Sequence, residues 1–139
     1  MSDDGRIPRW TVEVGTDLFE AEVATVERFH LGYEDHGIFT VDLAFTNGSL
    51  GQSLPGRGLD EYDRETRKRH GTAFGCDFII ECIRRIGSPE QAVGRRVVVL
   101  RRQPFSTIEG FAALNDDGSY GEPFIPATLA ARHFPAVVA

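Results

Sequence analysis

Thr72-Ala73-Phe74-Gly75-Cys76-Asp77-Phe78-Ile79-Ile80-Glu81-Cys82-Ile83-Arg84-Arg85-Ile86-Gly87 is the stretch on which the reading of the fold turns. Phe74, Phe78, Ile79, Cys82, Ile83 and Ile86 recur at the spacing of a helix with one apolar stripe. Thr72 supplies an N-cap hydroxyl and Gly87 a terminator. Arg84 and Arg85 sit where a helix C-terminus favours cations, so the dipole and solvation explain them without a binding role. N-terminal to this helix the period is two, not three and a half.

From Phe19 to Phe29 the chain alternates, with Phe19, Ala21, Val23, Thr25, Glu27 and Phe29 on one side and Glu20, Glu22, Ala24, Val26 and Arg28 on the other. That pattern predicts a strand in a half-exposed sheet. Trp10–Val14 alternates more briefly, and Ile38–Phe45 places Phe39, Val41, Leu43 and Phe45 on one face. Glu34-Asp35-His36-Gly37 reads as the turn between strands. Residues 47–59 form a glycine loop without strand or helix period, and Asp60–His70, nearly all polar, reads as a short exposed helix or an ordered lid. Beyond the main helix, Pro89 suits the first position of a short turn, and Arg95–Leu100 and Ser106–Leu114 are two more strands. Asn115-Asp116-Asp117-Gly118 turns the chain. The expected architecture is α+β: an antiparallel, strongly twisted sheet packed against one main amphipathic helix. A single small domain spans residues 1–139, with a flexible leader at 1–9 and an irregular, proline-bearing tail at 120–139.

A chain of 139 residues can bury a core without staples. Its net charge of -6 argues against a general binder of genomic nucleic acid or of anionic membranes. The charge is uneven, however. Residues 1–50 hold ten acidic and three basic side chains, whereas residues 84–102 hold six arginines and one glutamate. Cys76 and Cys82, six positions apart on one helix, are poorly placed for a disulfide, so a reducing cytoplasm is the expected setting. The start lacks the basic and apolar regions of a secretory signal.

No hydrolytic, redox, phosphate-loop or zinc motif is present, so neither catalysis nor a cofactor or metal is expected. Glu34, Asp35 and His36 are adjacent on a turn and converge poorly on one ion; Cys82 lies on the apolar stripe. The arginines carry the chemistry. Guanidinium groups grip phosphate oxygens bidentately and stack on flat rings, which makes Arg95, Arg96, Arg101 and Arg102 the candidate ligand-binding set. Alternate strand residues point opposite ways, so some of these face solvent on any sheet. Phe105 offers a stacking ring, or else packs in a core. Asn47, Gln52 and Arg57 in the glycine loop are placed to read a base edge or a ribose hydroxyl, or to cap the loop.

The order of motifs adds to this. Gly32-Tyr33-Glu34-Asp35-His36-Gly37-Ile38, then Gly51-Gln52 with a loop ending Gly58-Leu59-Asp60, then Gly71-Thr72-Ala73-Phe74-Gly75, then Gly94-Arg95-Arg96-Val97 resembles a family of small phage and prophage proteins, the Thoeris anti-defence proteins. The resemblance covers about residues 25–112. It implies a protein made in the host cytoplasm that sequesters a cyclic ADP-ribose isomer, or a related cyclic nucleotide signal, without cleaving it. It also implies a homodimer or higher homo-oligomer with shared pockets. Trp10, Phe19, Phe29, Phe39, Phe45 and Phe105, more rings than one thin core needs, motivate the same expectation. Ser53-Leu54-Pro55-Gly56-Arg57 and the proline-bearing end depart from the family pattern. The alternatives are a protein-interaction module acting through Asp60–His70 on a host protein, a phage structural or accessory protein, and a small enzyme using Asp35 and His36.

Overall fold

The structure, a computed structural model, describes residues 9–33, 37–47, 51–54, 58–103 and 106–135. Its spine is one long strand, β2 (Asp17–Tyr33), which carries a different neighbour on each part of its length. β7 (Arg96–Arg101) pairs antiparallel with Glu20–Thr25 of β2 on one edge. On the other edge β1 (Arg9–Val14) takes Asp17–Glu22, and β3 (Phe39–Thr46) takes over from Thr25 to Tyr33. β4 (Gly51–Ser53) extends the sheet beyond β3, and β8 (Ile108–Ala113) extends it beyond β7.

The sheet is twisted and coiled, and its aromatic contacts measure by how much. β3 and β8 are three strand spacings apart, about 14 Å in a flat sheet. Yet the Phe45 and Phe111 ring centroids lie 5.5 Å apart. Between them lies the main core, where Ala24, Val26, Val97 and Val99 meet Phe74, Phe78, Cys82 and Ile86 of α1 (Ala73–Ile86). Burying a side chain such as Phe78 or Phe111 stabilises the fold by roughly 1.5–3 kcal/mol. Gly87, at φ 89°, bends the chain from α1 into the short helix α2 (Pro89–Ala92), so sheet and bent helix together make the α+β domain that the sequence pattern implies. Thr72 caps α1 as expected, its hydroxyl accepting the Gly75 N–H at 2.9 Å and donating to the Leu59 carbonyl at 3.1 Å.

A second core occupies the opposite sheet face. Val12, Phe19, Ala21, Val98, Leu100 and Ile125 are buried there, with Trp10, Val14 and Leu114 packed around them. β7 is therefore buried on both faces. The half-exposed sheet read from alternation is corrected accordingly: Glu22 is only 4% exposed. The register also shifts between Val26 and Arg28, so Phe29 joins Ala24 and Val26 in the main core, not the face of Phe19 and Ala21. Phe19, Phe29 and Phe45 are consumed by these two cores within one chain.

Three further differences have local causes. The glycine loop contains β4, a strand too short to show a period. Asp60–His70 is not a helix but part of a hairpin of β5 (Asp60–Asp63) and β6 (Lys68–Gly71). Turn and ion-pair chemistry holds it instead of apolar alternation. Asp63 accepts the Glu65 N–H at 2.9 Å, Arg67 turns at φ 58°, and the Asp60 carboxylate accepts Phe39 N–H at 3.1 Å and Arg69 Nε at 2.8 Å. The Arg69 hydrogen bond, opposed in part by burial, holds the Asp60 carboxyl below the ordinary range. Within the tail read as irregular, α3 (Pro126–His133) is helical, because Pro126 stands at the helix start where an N–H is dispensable. Leu129 and Ala130 bury against the main core, and His133 Nε2 lies 2.8 Å from Asp77 Oδ2 of α1. Residues 1–8 of the leader and the turn residues 34–36 lie outside the described residues.

The tightest helix contact rests on Gly75, where an added Cβ would lie 2.2 Å from the Leu59 carbonyl oxygen. Gly75→Ala is expected to lower unfolding stability by about 2–3 kcal/mol, read from urea denaturation followed by far-ultraviolet circular dichroism. A loss below about 0.5 kcal/mol would contradict this packing.

Candidate functional site

Register sorts the four candidate arginines before any side chain is considered. Glu20, Glu22, Ala24 and Arg101 share the main-core face of the sheet, since Glu20 pairs with Arg101 and Ala24 with Val97. Trp10, Ala21, Val23, Val98 and Arg96 share the other face, through the pairs Trp10–Ala21, Val23–Val98 and Thr25–Arg96. The arginines do not meet across one cavity.

Arg101 is committed internally. It is 7% exposed; its Nε donates to Glu22 Oε1 at 2.8 Å, and one terminal nitrogen donates to the Ser106 carbonyl at 2.6 Å and to Gln52 Oε1. This contact joins β4 to β7 across the coiled sheet, so Gln52 is a strut for Arg101. Arg9 Nε reaches the same Glu22 at 3.4 Å. Arg102, on the second face, lies over the Phe19 ring at 4.7 Å and pairs with Asp17 at 3.0 Å and Glu109 at 3.2 Å. The Asp17 hydrogen bond leads the causes that raise its pKa. Asn47 is half-buried just after β3, and Arg57 and Phe105 lie outside the described residues.

Arg95 and Arg96 are placed differently. Gly94, at φ 91°, turns the chain out of α2, and the following backbone is fixed on both sides. The Arg95 N–H donates to Ala92 O at 3.0 Å, and its carbonyl accepts Val26 N–H at 2.9 Å; the Arg96 carbonyl accepts Leu114 N–H at 3.3 Å. Both side chains are exposed, and among the described residues neither guanidinium has a hydrogen-bond or ion-pair partner. They line a groove of about 630 Å³ with Trp10, Val23 and Leu114 as apolar surface and Asn115, Asp116 and Gly118 as the facing turn. Trp10 is half-buried and its ring centroid lies 6.4 Å from that of Tyr120. Fixed backbone, free cations and a flat apolar ring suit a planar anionic ligand.

Sequence reasoning missed Trp10, Leu114 and Asp116 as parts of this site. The lone tryptophan is the signal that points to it, but only the β1–β2–β7–β8 order brings residue 10 beside residue 114.

The other candidate chemistries are weaker. A cleft of about 300 Å³ runs between α1 and α3, but its central cation, Arg85, is occupied by Glu81 and by the Glu122 and Pro123 carbonyls. Burial pushes the Cys82 thiol up to about 12, which leaves no thiolate at neutral pH for attack. Among the described residues no group of three His, Cys, Asp or Glu side chains is placed to hold a metal ion. No described helix is long and apolar enough to cross a membrane.

Comparison with known protein families, with curated proteins and with solved structures finds no match to this chain.

The Arg101–Glu22 pair makes a sharp contrast with the groove arginines. Arg101→Ala, which strands a buried carboxylate, is expected to cost about 3–5 kcal/mol of stability in chemical denaturation, whereas Arg95→Ala stays within about 0.5 kcal/mol of the parent. Equal effects of the two substitutions would contradict the assignment of Arg101 to the interior.

Proposed function

We propose that this protein captures a small, anionic, ring-bearing nucleotide in the groove of Trp10, Arg95 and Arg96 and holds it unchanged. The observation that carries the reading is the pair Arg95 and Arg96, on a fixed backbone and without side-chain partners among the described residues, in a groove that half-buried Trp10 also lines. Two charge-assisted contacts at about 1.5–3 kcal/mol each, with stacking beside them, are the ingredients of a tight, non-catalytic site. Capture of an intracellular signal needs affinity, not turnover, and the groove offers no activated nucleophile among the described residues.

The ligand class comes from the resemblance to the Thoeris anti-defence proteins: a cyclic ADP-ribose isomer, withheld in the host cytoplasm from an immune effector. A homo-oligomer belongs to the same reading, although the rings that first suggested it are largely spent inside the chain. A second reading, docking to a host protein, is favoured by the β5–β6 hairpin, whose residues 64–71 are all exposed.

Incubating the purified protein with cyclic ADP-ribose isomers, ADP-ribose and cyclic dinucleotides, then filtering, denaturing and weighing what is released, separates these. The expected result is one nucleotide returned intact, with affinity reduced about 100-fold or more in the Arg95→Ala/Arg96→Ala double variant. A nucleotide returned cleaved, or none retained, would contradict the proposal.

A further inference from the structure

The groove has a second wall whose chemistry is opposite to that of the arginines. It is the turn after β8, and its two neighbouring aspartates are used differently. Asp117 is spent on the turn itself: its carboxylate accepts the Ser119 hydroxyl at 2.6 Å and the Ser119 N–H at 2.9 Å. Those two bonds, the hydroxyl first, hold the Asp117 carboxyl below its ordinary range. Asn115 adds Nδ2–H to Ser119 Oγ at 3.0 Å, and the backbone closes with Gly118 N–H to Asn115 O at 3.0 Å and Asn115 N–H to Ser119 O at 2.8 Å. The turn is thus braced without Asp116.

Asp116 lines the groove, is exposed, and has no hydrogen-bond or ion-pair partner among the described residues. It shares the groove with Arg95 and Arg96, yet no ion pair within 4.0 Å forms between them. Opposite charges that line one groove without closing on each other leave the space between for a ligand with two unlike ends. A carboxylate repels a phosphate and accepts only from donors. Two adjacent hydroxyls on a ring offer two such donors to its two oxygens, as a ribose diol does to an acidic side chain in many nucleotide sites. Trp10 and Leu114 supply apolar surface in the same groove.

We infer that Asp116 is a further binding group of this groove, accepting hydrogen bonds from the vicinal hydroxyls of a sugar whose phosphate lies on Arg95 and Arg96. This rests on the nucleotide-binding reading and specifies which part of the nucleotide each wall takes. The occupant is a ribonucleotide, and its deoxy counterpart is rejected.

Titration calorimetry of the full chain with ADP, 2′-deoxy-ADP and inorganic pyrophosphate tests it on the parent, on Asp116→Asn and on Arg95→Ala/Arg96→Ala. The parent is expected to prefer ADP over 2′-deoxy-ADP by about tenfold. Asp116→Asn erases that preference, weakens ADP about tenfold and tightens pyrophosphate, because a repelling charge has gone. The two effects have opposite signs. If Asp116→Asn tightens ADP and pyrophosphate alike, or if the parent binds ADP and 2′-deoxy-ADP equally, Asp116 is a repelling rim charge and the inference is overturned while arginine-dependent binding stands. If none of the three binds the parent, this inference is overturned, and retention of a cyclic ADP-ribose isomer by the parent decides separately whether the nucleotide reading stands; if the arginine double variant binds as the parent does, both fail.

Discussion

The antiparallel ladder between β2 and β7 is the contact on which the rest of this fold depends. Val97 and Val99 turn into one core, Val98 and Leu100 into the other, and each of the four is no more than 1% exposed. A strand buried on both sides has no solvent face to slip toward, so its register is fixed from two directions. β1 and β3 can then share the opposite edge of β2 end to end, and the two ends of that long strand serve different cores. The groove lies where the ladder runs out, at the Thr25–Arg96 pair. Its two arginines inherit rigid backbone positions from that ladder, which also contributes Val23 to the groove lining.

The same ladder explains how an acidic chain uses a cluster of basic side chains. Six arginines fall between residues 84 and 102, and the fold distributes them over unlike tasks. Arg85 clips the end of α1 to the segment before α3 and lies 5.3 Å from the centre of the Phe124 ring. Arg101 satisfies a buried glutamate, and Arg102 lies over Phe19 between two acids. A buried pair such as Arg101–Glu22 adds little net stability over a well-packed apolar pair, but removing one member is costly. Its contribution here is to hold β4, β7 and the Ser106 segment together.

Much of the architecture was legible in the sequence because its signals were local. The Phe74, Phe78, Cys82 and Ile86 stripe of α1, the Thr72 cap, the Gly87 terminator and Pro89 at a helix start are read within a few residues of each other and hold in the structure, whereas Ile83, read on the same stripe, is exposed. What failed needed knowledge from far along the chain. Alternation in β2 could not reveal that both faces are covered, since the covering residues on the second face come from β1, Leu114 and Ile125, nor that a shift after Val26 moves Phe29 to the other face. The β5–β6 hairpin escaped notice because its ladder is stabilised by Asp60, Asp63 and Arg69 in place of an apolar stripe. For the site, the residue type was readable and its deployment was not. Nothing within residues 95–102 distinguishes Arg96 from Arg101, although one lines a groove and the other closes a core.

Native-state amide hydrogen exchange measures the two-sided ladder most directly. Amides of Glu20–Thr25 and Arg96–Arg101 that donate within the sheet are expected to exchange slowest of all, opening only with global unfolding, and those of the β5–β6 hairpin far faster. Exchange of the β7 amides at hairpin rates, with α1 still protected, would contradict the account.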